Sequence, residues 1–263
     1  MTPAEKYTHG HHASVLSAHR WRTIRNSAHY LEPHLVAGRS LVDIGCGPGT
    51  ITAEFAERLA PGRVIGVDAA PDAIAAASEL ETTAEFMLGD AYALPFDDAS
   101  VDIAHTHQTL QHVQDPVAML REMARVVRPG GVVAAREVDY SATTWFPLLP
   151  ELDQWLDLYR RVHSGNGGEP DAGRHMTSWA HDAGLNGAQF SATAWAFSTP
   201  DERAWWGGAW ADRALHSSFA TDALEGGHAD ERELQAISDA WRAWAADDRG
   251  WFTMTHTELL APV

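Results

Sequence analysis

The chain has 263 residues, of which 45% are hydrophobic and 21% charged, and its formal net charge is −17 at pH 7. This composition is typical of a folded globular protein and excludes a disordered chain. The negative charge argues against nucleic acid and against an anionic membrane as partners, because both require clustered Lys and Arg. One cysteine excludes an internal disulfide. Without an apolar run of about 18 residues or an N-terminal signal core, the sequence predicts a cytoplasmic protein.

Short apolar runs alternate with amphipathic stretches over the first 140 residues. Helical spacing of apolar residues predicts one or two helices between residues 13 and 35. The strands that follow are predicted over residues 40–44, 64–68, 85–88, 101–105 and 132–138. The helices between them are predicted over residues 50–59 and 71–80 and from Asp115-Pro116 onwards. This alternation predicts a parallel, doubly wound α/β sheet with right-handed crossovers.

The pattern changes after residue 139. Helices are predicted over residues 151–162, 171–183, 201–223 and 230–244, and strands over residues 189–197 and 250–257. Eleven tryptophans are concentrated mainly in this half. Trp206 and Trp210 share one helix face and either form a wall of an apolar substrate pocket or pack in the core, while Trp205 packs elsewhere.

Residues that end the first three strands outline a binding site for a nucleoside. Gly45, Gly47 and Gly49 form a turn in which the backbone can approach a ligand closely, because no Cβ intervenes. Asp68, at the end of the second strand, can accept hydrogen bonds from both hydroxyls of a ribose, and Asp90 can accept one from the amine of an adenine. Ligands of open α/β sheets bind at these carboxyl ends.

The glycine spacing distinguishes two kinds of nucleoside cofactor. Dinucleotide sites require G-x-G-x-x-G, and the third glycine would fall at Thr50 when counted from Gly45, or at Thr52 when counted from Gly47. A nicotinamide-dependent oxidoreductase is therefore the less favoured alternative. The sequence instead has an acid, Asp43, two residues before a G-x-G-x-G turn.

Five sequence blocks resemble the class I S-adenosylmethionine-dependent methyltransferases, particularly the branch similar to the ubiquinone and menaquinone biosynthesis methyltransferases (methyltransferase type 11). The blocks are VDIGCGPGT (42–50), VIGVD (64–68), GDA (89–91) with LPF (94–96), VDIA (101–104) with LQHV (110–113), and RVVRPGG (125–131). Val101 stands where the family often has Phe. The resemblance implies a Rossmann-like seven-stranded sheet, mostly parallel with an antiparallel last strand, plus N-terminal helices and a helical cap.

The resemblance also implies S-adenosylmethionine as cofactor and S-adenosylhomocysteine as product. The glycine turn and Asp43 would line the methionine moiety, Asp68 the ribose, and Asp90 with Ala91 the adenine. Residues 106–108 would lie near the sulfonium. The full set of expected cofactor-binding residues is Tyr7, Asp43, Gly45, Cys46, Gly47, Gly49, Asp68, Ala69, Gly89, Asp90, Ala91, Thr106, His107 and Gln108.

We expect a single domain, 1–263, with an N-terminal helical lid (1–38), a cofactor-binding core (39–139), and helical cap insertions with the last two strands (140–263). The expected reaction is methylation of carbon or oxygen in a small organic molecule, with an apolar or aromatic metabolite favoured. A non-catalytic S-adenosylmethionine-binding regulatory module is the alternative. A small-molecule substrate is the expected partner, and a homodimer is compatible with the sequence.

Methyl transfer is an in-line displacement, so catalysis depends chiefly on placing the nucleophile about 3 Å from the methyl carbon. A general base is needed only if the nucleophile arrives protonated. The candidates are His107, His112 and Tyr140, with Asp139 beside them, because each follows a strand or opens a helix near the pocket mouth. His107 is the first choice, and a structural role for it stays open.

Other conspicuous residues have less specific interpretations. Cys46 is interpreted as a small spacer in the turn, because no base is implied at a fixed spacing from it. Arg136, Glu137 and Arg213 either orient a polar substrate group or are solvated charges. No metal site is predicted, because the histidines near the N-terminus lack a site-like spacing of ligands. The most closely spaced of these histidines are His9, His11 and His12.

Overall fold

The computed structural model describes residues 21–263, which form one seven-stranded sheet with helices on both faces. The strands are β1 Leu41–Ile44, β2 Val64–Asp68, β3 Glu85–Leu88, β4 Val101–His107, β5 Val127–Phe146, β6 Gln189–Phe197 and β7 Trp251–Pro262. Their order is β3-β2-β1-β4-β5-β7-β6. β1 to β5 pair in parallel, and β7 is antiparallel to both of its neighbours. The predicted fold class is confirmed.

Eight α-helices connect the strands within the described residues. They are α1 Thr50–Leu59, α2 Pro71–Ser78, α3 Pro116–Val126, α4 Pro150–Gly165, α5 Ala172–Asp182, α6 Pro200–His216, α7 Ser218–Glu225 and α8 Glu231–Ala246. None of the helices within residues 21–263 is long and apolar enough to cross a bilayer.

Helix starts follow the capping signals in the sequence. Asp115 caps α3 by accepting a hydrogen bond from the Ala118 amide at 2.9 Å, with Pro116 at the first helical position. Capping boxes open α6 at Thr199 and α8 at Asp230. These side chains satisfy amides that would otherwise lack partners, which fixes where each helix begins.

One helical prediction was wrong in detail. The single helix predicted over residues 201–223 is divided into α6 and α7 by Ser217, which has an extended backbone and belongs to neither helix. The one or two helices predicted before β1 are represented in the described residues by two short helical segments, a π-helical turn, Ile24–Ala28, and a 3₁₀ helix, His29–His34. Pro33 lies inside the second segment and cannot donate a helical hydrogen bond.

Three strands are longer than the sequence predicts. β5 and β7 pair in two stretches, interrupted between Asp139 and Thr144, and this long antiparallel pairing extends both strands beyond their apolar cores. β4 continues to His107, which pairs with Arg136 of β5. His107 is therefore part of the sheet, and only Gln108 begins the loop that follows β4.

The tryptophans form a core on the β5–β7 half of the molecule. Trp155 is fully buried and lies edge-on to Trp210 and Trp241, with ring centroids 4.6 and 4.9 Å away. Trp206 stacks on Phe197. We call this set the aromatic cluster; its main members are Trp155, Trp206, Trp210, Trp241, Trp244, Phe197 and Phe252. Trp206 and Trp210 therefore pack in the core and do not line the cavity described below.

Candidate active site

A cavity of about 530 Å³ lies at the carboxyl ends of β1 to β4. β1 and β4 are neighbours at the point where the strand order reverses, which is where open α/β sheets bind ligands. The volume is in the range of small-ligand pockets. The lining residues are Arg22, Asp43, Ile44, Gly45, Cys46, Gly47, Pro48, Thr50, Ile51, Val67, Asp68, Ala69, Ala70, Ala73, Gly89, Asp90, Ala91, His107, Gln108, Thr109, His112 and Val113.

The three glycines of the turn after β1 all have positive φ, but they serve different purposes. Gly45 and Gly47 line the cavity, and a Cβ on Gly45 would collide with the Thr109 side chain. A Cβ on Gly49 would lie 2.7 Å from the Phe86 ring and 3.0 Å from the Ala77 Cβ. Gly49 is therefore required for packing of the turn against β3 and α2. The sequence suggested that Gly49 contacts the cofactor, but this residue does not line the cavity.

Asp68 is held by the backbone at the tip of β2. One carboxylate oxygen accepts a hydrogen bond from the Gly47 amide and the other accepts one from the Ala70 amide, each at 2.9 Å. A carboxylate has about four lone-pair directions. The two oxygens therefore retain capacity for two further donors, which fits the adjacent hydroxyls of a ribose.

Asp43 lies buried beneath the glycine turn. Its Oδ1 is 2.8 Å from the Nδ1 of the buried His105, and its Oδ2 accepts a hydrogen bond from the Thr52 hydroxyl at 2.5 Å. Both contacts fix the carboxylate against the floor of the cavity. Thr106 does not line the cavity: its hydroxyl donates to the Ile44 carbonyl at 2.8 Å and joins β4 to β1.

The other residues after β1, β2 and β3 that were expected to contact the cofactor also line the cavity. They are Cys46, Ala69, Gly89, Asp90 and Ala91. Asp90 is exposed and accepts a hydrogen bond from the Tyr92 amide at 2.9 Å. Burial raises the pKa of the Cys46 thiol, which keeps it protonated and agrees with its interpretation as a spacer.

Gln108 begins the loop after β4 with φ +54°, a conformation that is uncommon outside glycine. Arg22 donates a hydrogen bond to the Gln108 Oε1 at 2.5 Å, and the Gln108 amide nitrogen donates to the His256 Nε2 at 2.7 Å. His256 in turn donates from Nδ1 to the Met254 carbonyl. This series of hydrogen bonds fixes both the oxygen and the nitrogen of the Gln108 side chain, which stabilises the strained backbone of Gln108.

His107 is buried in the cavity wall, and its Nε2 lies 3.0 Å from the Arg136 Nη1. A guanidinium only donates hydrogen bonds, so Nε2 accepts and the proton of the neutral ring is on Nδ1. Nδ1 is buried, and none of the described residues 21–263 forms a hydrogen bond with it. Burial, together with the charges of Arg22 and Arg136, lowers the pKa of His107 well below its usual value. This arrangement favours a hydrogen-bond donor over a general base.

Arg136 is almost fully buried and links three strands. Its guanidinium donates to the Thr193 hydroxyl at 3.2 Å, lies 3.4 Å from the Glu258 carboxylate, and sits 5.0 Å from the centre of the Trp195 ring. Burial lowers the pKa of Arg136 to about 10, so it stays charged at neutral pH. The interpretation of this residue as a solvated charge is wrong.

Glu137 and Arg213 are also buried and not solvated. One oxygen of Glu137 accepts hydrogen bonds from the amides of Thr109 and Leu110 at 2.8 and 2.7 Å. Glu137 therefore supports the loop that carries Gln108 and Thr109. Burial raises the pKa of this carboxyl to about 8. Arg213 lies over the Trp210 ring in the aromatic cluster.

The other base candidates lie in different places. His112 lines the cavity and stacks on His163, with ring centroids 4.8 Å apart. Tyr140 is buried against Tyr159, outside the cavity lining. Asp139 forms an ion pair with Arg174 and also lies outside the lining. Tyr7, His9, His11 and His12 fall outside the described residues.

Sequence reasoning missed part of the cavity's surroundings. Arg22, His256, Glu258, Thr193 and Trp195 were not singled out, although Arg22 lines the cavity and the others surround Arg136 and Gln108. One signal was present: His256 and Glu258 are two residues apart on β7 and face the same buried side. Polar residues that repeat on the buried face of a strand indicate a functional cluster.

Known proteins resemble this chain in both sequence and structure. Residues 42–135 match the family model described as a methyltransferase domain. The chain is 34% identical to an uncharacterized methyltransferase of Schizosaccharomyces pombe, over 97% of this chain and 95% of that protein. This chain belongs to the methyltransferase family. It is also 46% identical to a demethylmenaquinone methyltransferase of Roseiflexus castenholzii, over 48% of this chain and 51% of that enzyme.

The fold agrees with that of a phosphoethanolamine N-methyltransferase of Haemonchus contortus, whose structure contains S-adenosylhomocysteine. The TM-score is 0.52 at 17% identity, over 86% of this methyltransferase and 49% of the Haemonchus chain. The expected family, the enzyme class and the cofactor are thereby confirmed: the protein is an S-adenosylmethionine-dependent methyltransferase. The cavity fits this cofactor, because Gly45 and Gly47 of the turn line it and Asp68 retains acceptors for a diol.

Proposed function

We propose that this methyltransferase transfers the methyl group of S-adenosylmethionine to carbon or oxygen of a small organic molecule. The observation that carries this proposal is the continuity of one cavity of about 530 Å³ from the glycine turn and Asp68 to His107 and Gln108 at the end of β4. A chamber of this size accepts small ligands. The net charge of −17 gives no support to a nucleic-acid substrate.

In this proposal, the walls contributed by β1 to β3 bind the cofactor. Gly45 and Gly47 approach the methionine moiety above Asp43, Asp68 accepts from the ribose hydroxyls, and Asp90 with Ala91 borders the adenine. Cys46, Ala69 and Gly89 complete the wall. Gly49 and Thr106 act by supporting the turn and β4, as their contacts indicate.

The acceptor occupies the side of the cavity at the end of β4. S-adenosylmethionine supplies an electrophilic methyl group on a sulfonium. His107, Gln108 and His112 orient the acceptor for in-line attack, and confinement at a distance of about 3 Å supplies much of the rate enhancement. Apolar side chains such as Ile51 and Val113 in the wall favour an apolar or aromatic body.

The test combines binding with turnover. Calorimetry should show S-adenosylhomocysteine binding. In a panel of phenols, enols, activated carbon acids and amines, methyl-labelled S-adenosylmethionine should label the oxygen or carbon acceptors in preference to the amines. Cofactor binding with no labelled product from any small acceptor would instead support the regulatory module. Labelling of nucleic acid or protein in preference to the panel would contradict the proposal.

A further inference from the structure

The turn that follows β4, residues 109–112, is held from two sides. It closes through a hydrogen bond from the His112 amide to the Thr109 carbonyl at 2.9 Å. Towards the sheet, Glu137 accepts hydrogen bonds from two amides of the turn. On its other side, the turn contacts the end of α4 and the loop that follows this helix. Thr109 and His112 line the cavity, so both sets of contacts act on the cavity wall.

His163, near the end of α4, is fully buried and uses both of its ring nitrogens. Its Nε2 lies 2.8 Å from the Gln111 carbonyl oxygen, which can only accept a hydrogen bond, so Nε2 carries a proton. Burial lowers the pKa of His163 to about 4, and the ring is therefore neutral at pH 7. Nδ1 then accepts a hydrogen bond from the Tyr159 hydroxyl at 3.0 Å. These contacts fix the ring in one tautomer and one orientation.

The ring of His163 also packs on the ring of His112. Their centroids are 4.8 Å apart and their planes differ by 24°. His112 lines the cavity, whereas His163 lies outside the lining. His163 therefore contacts the turn at two places, the peptide group between residues 111 and 112 and the side chain of His112.

The need to satisfy the Gln111 carbonyl does not account for this histidine. The same oxygen already accepts a hydrogen bond from the Glu169 amide at 2.8 Å, so it would keep a partner if His163 were apolar. A hydrogen bond between neutral groups contributes only about 0.5–1.5 kcal/mol to stability. What the second hydrogen bond adds is direction, because two donors fix the plane of the peptide group that precedes His112.

Gly168, in the loop after α4, leaves room for this contact. An ideal Cβ at this position would lie 2.5 Å from the Gln111 carbonyl oxygen and 2.5 Å from the Nε2 of His163. The φ of Gly168 is not in the left-handed region, so other residues could adopt its backbone conformation. The close approach of His163 to Gln111 is therefore what requires a glycine here.

We propose that His163, for which Gly168 leaves room, is a positioning residue for methyl transfer that fixes the 109–112 turn and the ring of His112 against the acceptor. This inference rests on the proposed function, in which His112 orients the acceptor for in-line attack. His163 acts through the turn and not on the cofactor, because it lies outside the cavity lining. Loss of its contact with Gln111 therefore slows the transfer and leaves cofactor binding intact.

The test compares two substitutions of His163 in the full chain. His163→Phe keeps a ring that can stack on His112 but cannot donate to Gln111, whereas the amide nitrogen of His163→Gln can reach the place of Nε2 and donate. With a panel member that the wild type methylates, kcat of His163→Phe should fall about 10- to 100-fold, because small displacements in a site reduce rates on this scale. The ratio kcat/KM should fall with kcat, since the contact acts in the transition state. His163→Gln should recover part of the loss, and calorimetry should show wild-type affinity for S-adenosylhomocysteine in both variants.

Gly168→Ala tests the same contact without changing His163. Its Cβ would displace His163 from the Gln111 carbonyl, so kcat should fall as it does in His163→Phe. Gly165→Ala is the matched control and should keep the wild-type kcat, because no atom lies within 4 Å of an ideal Cβ at Gly165. Hydrogen exchange of the peptide that contains residues 108–113 gives a measurement that needs no turnover. Exchange there should be faster in His163→Phe and Gly168→Ala than in wild type, and unchanged in Gly165→Ala.

Unchanged kcat in His163→Phe and Gly168→Ala would overturn this inference and leave small-molecule methyl transfer intact. Unchanged hydrogen exchange of the turn in these variants would overturn it as well. So would a fall in kcat that only followed a loss of cofactor affinity, because that result would show a general structural role for His163. A wild-type enzyme that methylates no member of the panel would instead contradict the proposed function itself, and with it the role of His163 in the transfer.

Discussion

The two sides of the cavity are built in different ways. On the β1–β3 side, short loops present backbone and small side chains, and Asp68 reaches back to Gly47 over 21 positions. On the β4–β7 side, Gln108 contacts His256 across 148 positions, and Arg136 meets Thr193 across 57. The first side depends on local motifs, and the second depends on the register of long strands. Substitutions behind the β4–β7 side should therefore act mainly on stability, whereas substitutions on the β1–β3 side should act mainly on cofactor affinity.

The largest expected effect is on the aromatic cluster behind the second side. Trp155→Ala removes a fully buried ring, so the free energy of unfolding should fall by about 3–5 kcal/mol. Denaturant unfolding with and without S-adenosylhomocysteine measures both stability and binding. Because Trp155 does not line the cavity, we expect the affinity of the folded fraction to stay unchanged.

Trp251→Ala is the matched control, since this tryptophan is 42% exposed at the start of β7. Its removal should cost well under half as much stability. A loss of cofactor affinity in Trp155→Ala as large as its loss of stability would show that the aromatic cluster and the cofactor site are one cooperative unit.

Gly47→Val should act in the opposite way, on binding more than on stability. The side chain would enter the cavity from the glycine turn, and affinity for S-adenosylhomocysteine should fall at least about 100-fold by calorimetry, or about 2.7 kcal/mol. Gly47 has φ +55°, so valine also introduces backbone strain.

Gly227→Val controls for that strain. Gly227 has φ +63° and no atom within 4 Å of its ideal Cβ, and it does not line the cavity. We expect it to lose stability but not affinity. Equal affinity of Gly47→Val and wild type would refute the placement of the cofactor at this turn.

The β1–β3 side could be predicted from sequence because its signals are local. β2 and β3 have the predicted bounds, since each is a short run ended by turn residues. Gly49 and Thr106 were expected to contact the cofactor, but in the structure they make contacts within the protein. Only the fold brings Phe86 against Gly49 and the Ile44 carbonyl against Thr106.

The β4–β7 side could be predicted only in part. His107 was identified as a candidate, but its chemistry depends on Arg136, which donates to Nε2 from the neighbouring strand. The contacts of Gln108 with Arg22 and His256 likewise depend on strand pairing and on a segment before the sheet. Sequence periodicity identifies buried positions and does not identify which polar groups meet there.

Asp68→Ala should weaken S-adenosylhomocysteine binding by about 1–3 kcal/mol, because two hydroxyls would lose their acceptor. Asp68→Asn retains one acceptor oxygen and should weaken binding less. Asp72→Ala, an acid in the first turn of α2 outside the cavity lining, serves as the control in calorimetry. A change below a few tenths of a kcal/mol in Asp68→Ala would mean that the ribose lies elsewhere.

The smallest expected effect concerns Glu137 and the pH dependence of stability. Burial raises the pKa of Glu137 to about 8, so the folded state binds more protons than the unfolded state between the ordinary glutamate pKa and pH 8. Stability from this group is therefore present at low pH and is lost as pH rises through that window. In wild type, the free energy of unfolding should fall by about 1 kcal/mol per pH unit because of this group, and Glu137→Gln should remove that fall. The oxygen of the Gln side chain can still accept hydrogen bonds from the Thr109 and Leu110 amides.

The measurement is urea unfolding of Glu137→Gln and wild type at several pH values between about 6.5 and 8. Lower pH is less informative, because burial lowers the pKa of His163 to about 4. The protein therefore loses stability through His163 as pH falls, which opposes the effect of Glu137. Glu57→Gln, on the exposed face of α1, is the control and should run parallel to wild type. If Glu137→Gln also ran parallel to wild type, the carboxyl would already be ionised in the fold. The Gln108–Leu110 loop would then rest on a buried anion, which the cations of the β4–β7 side would have to stabilise.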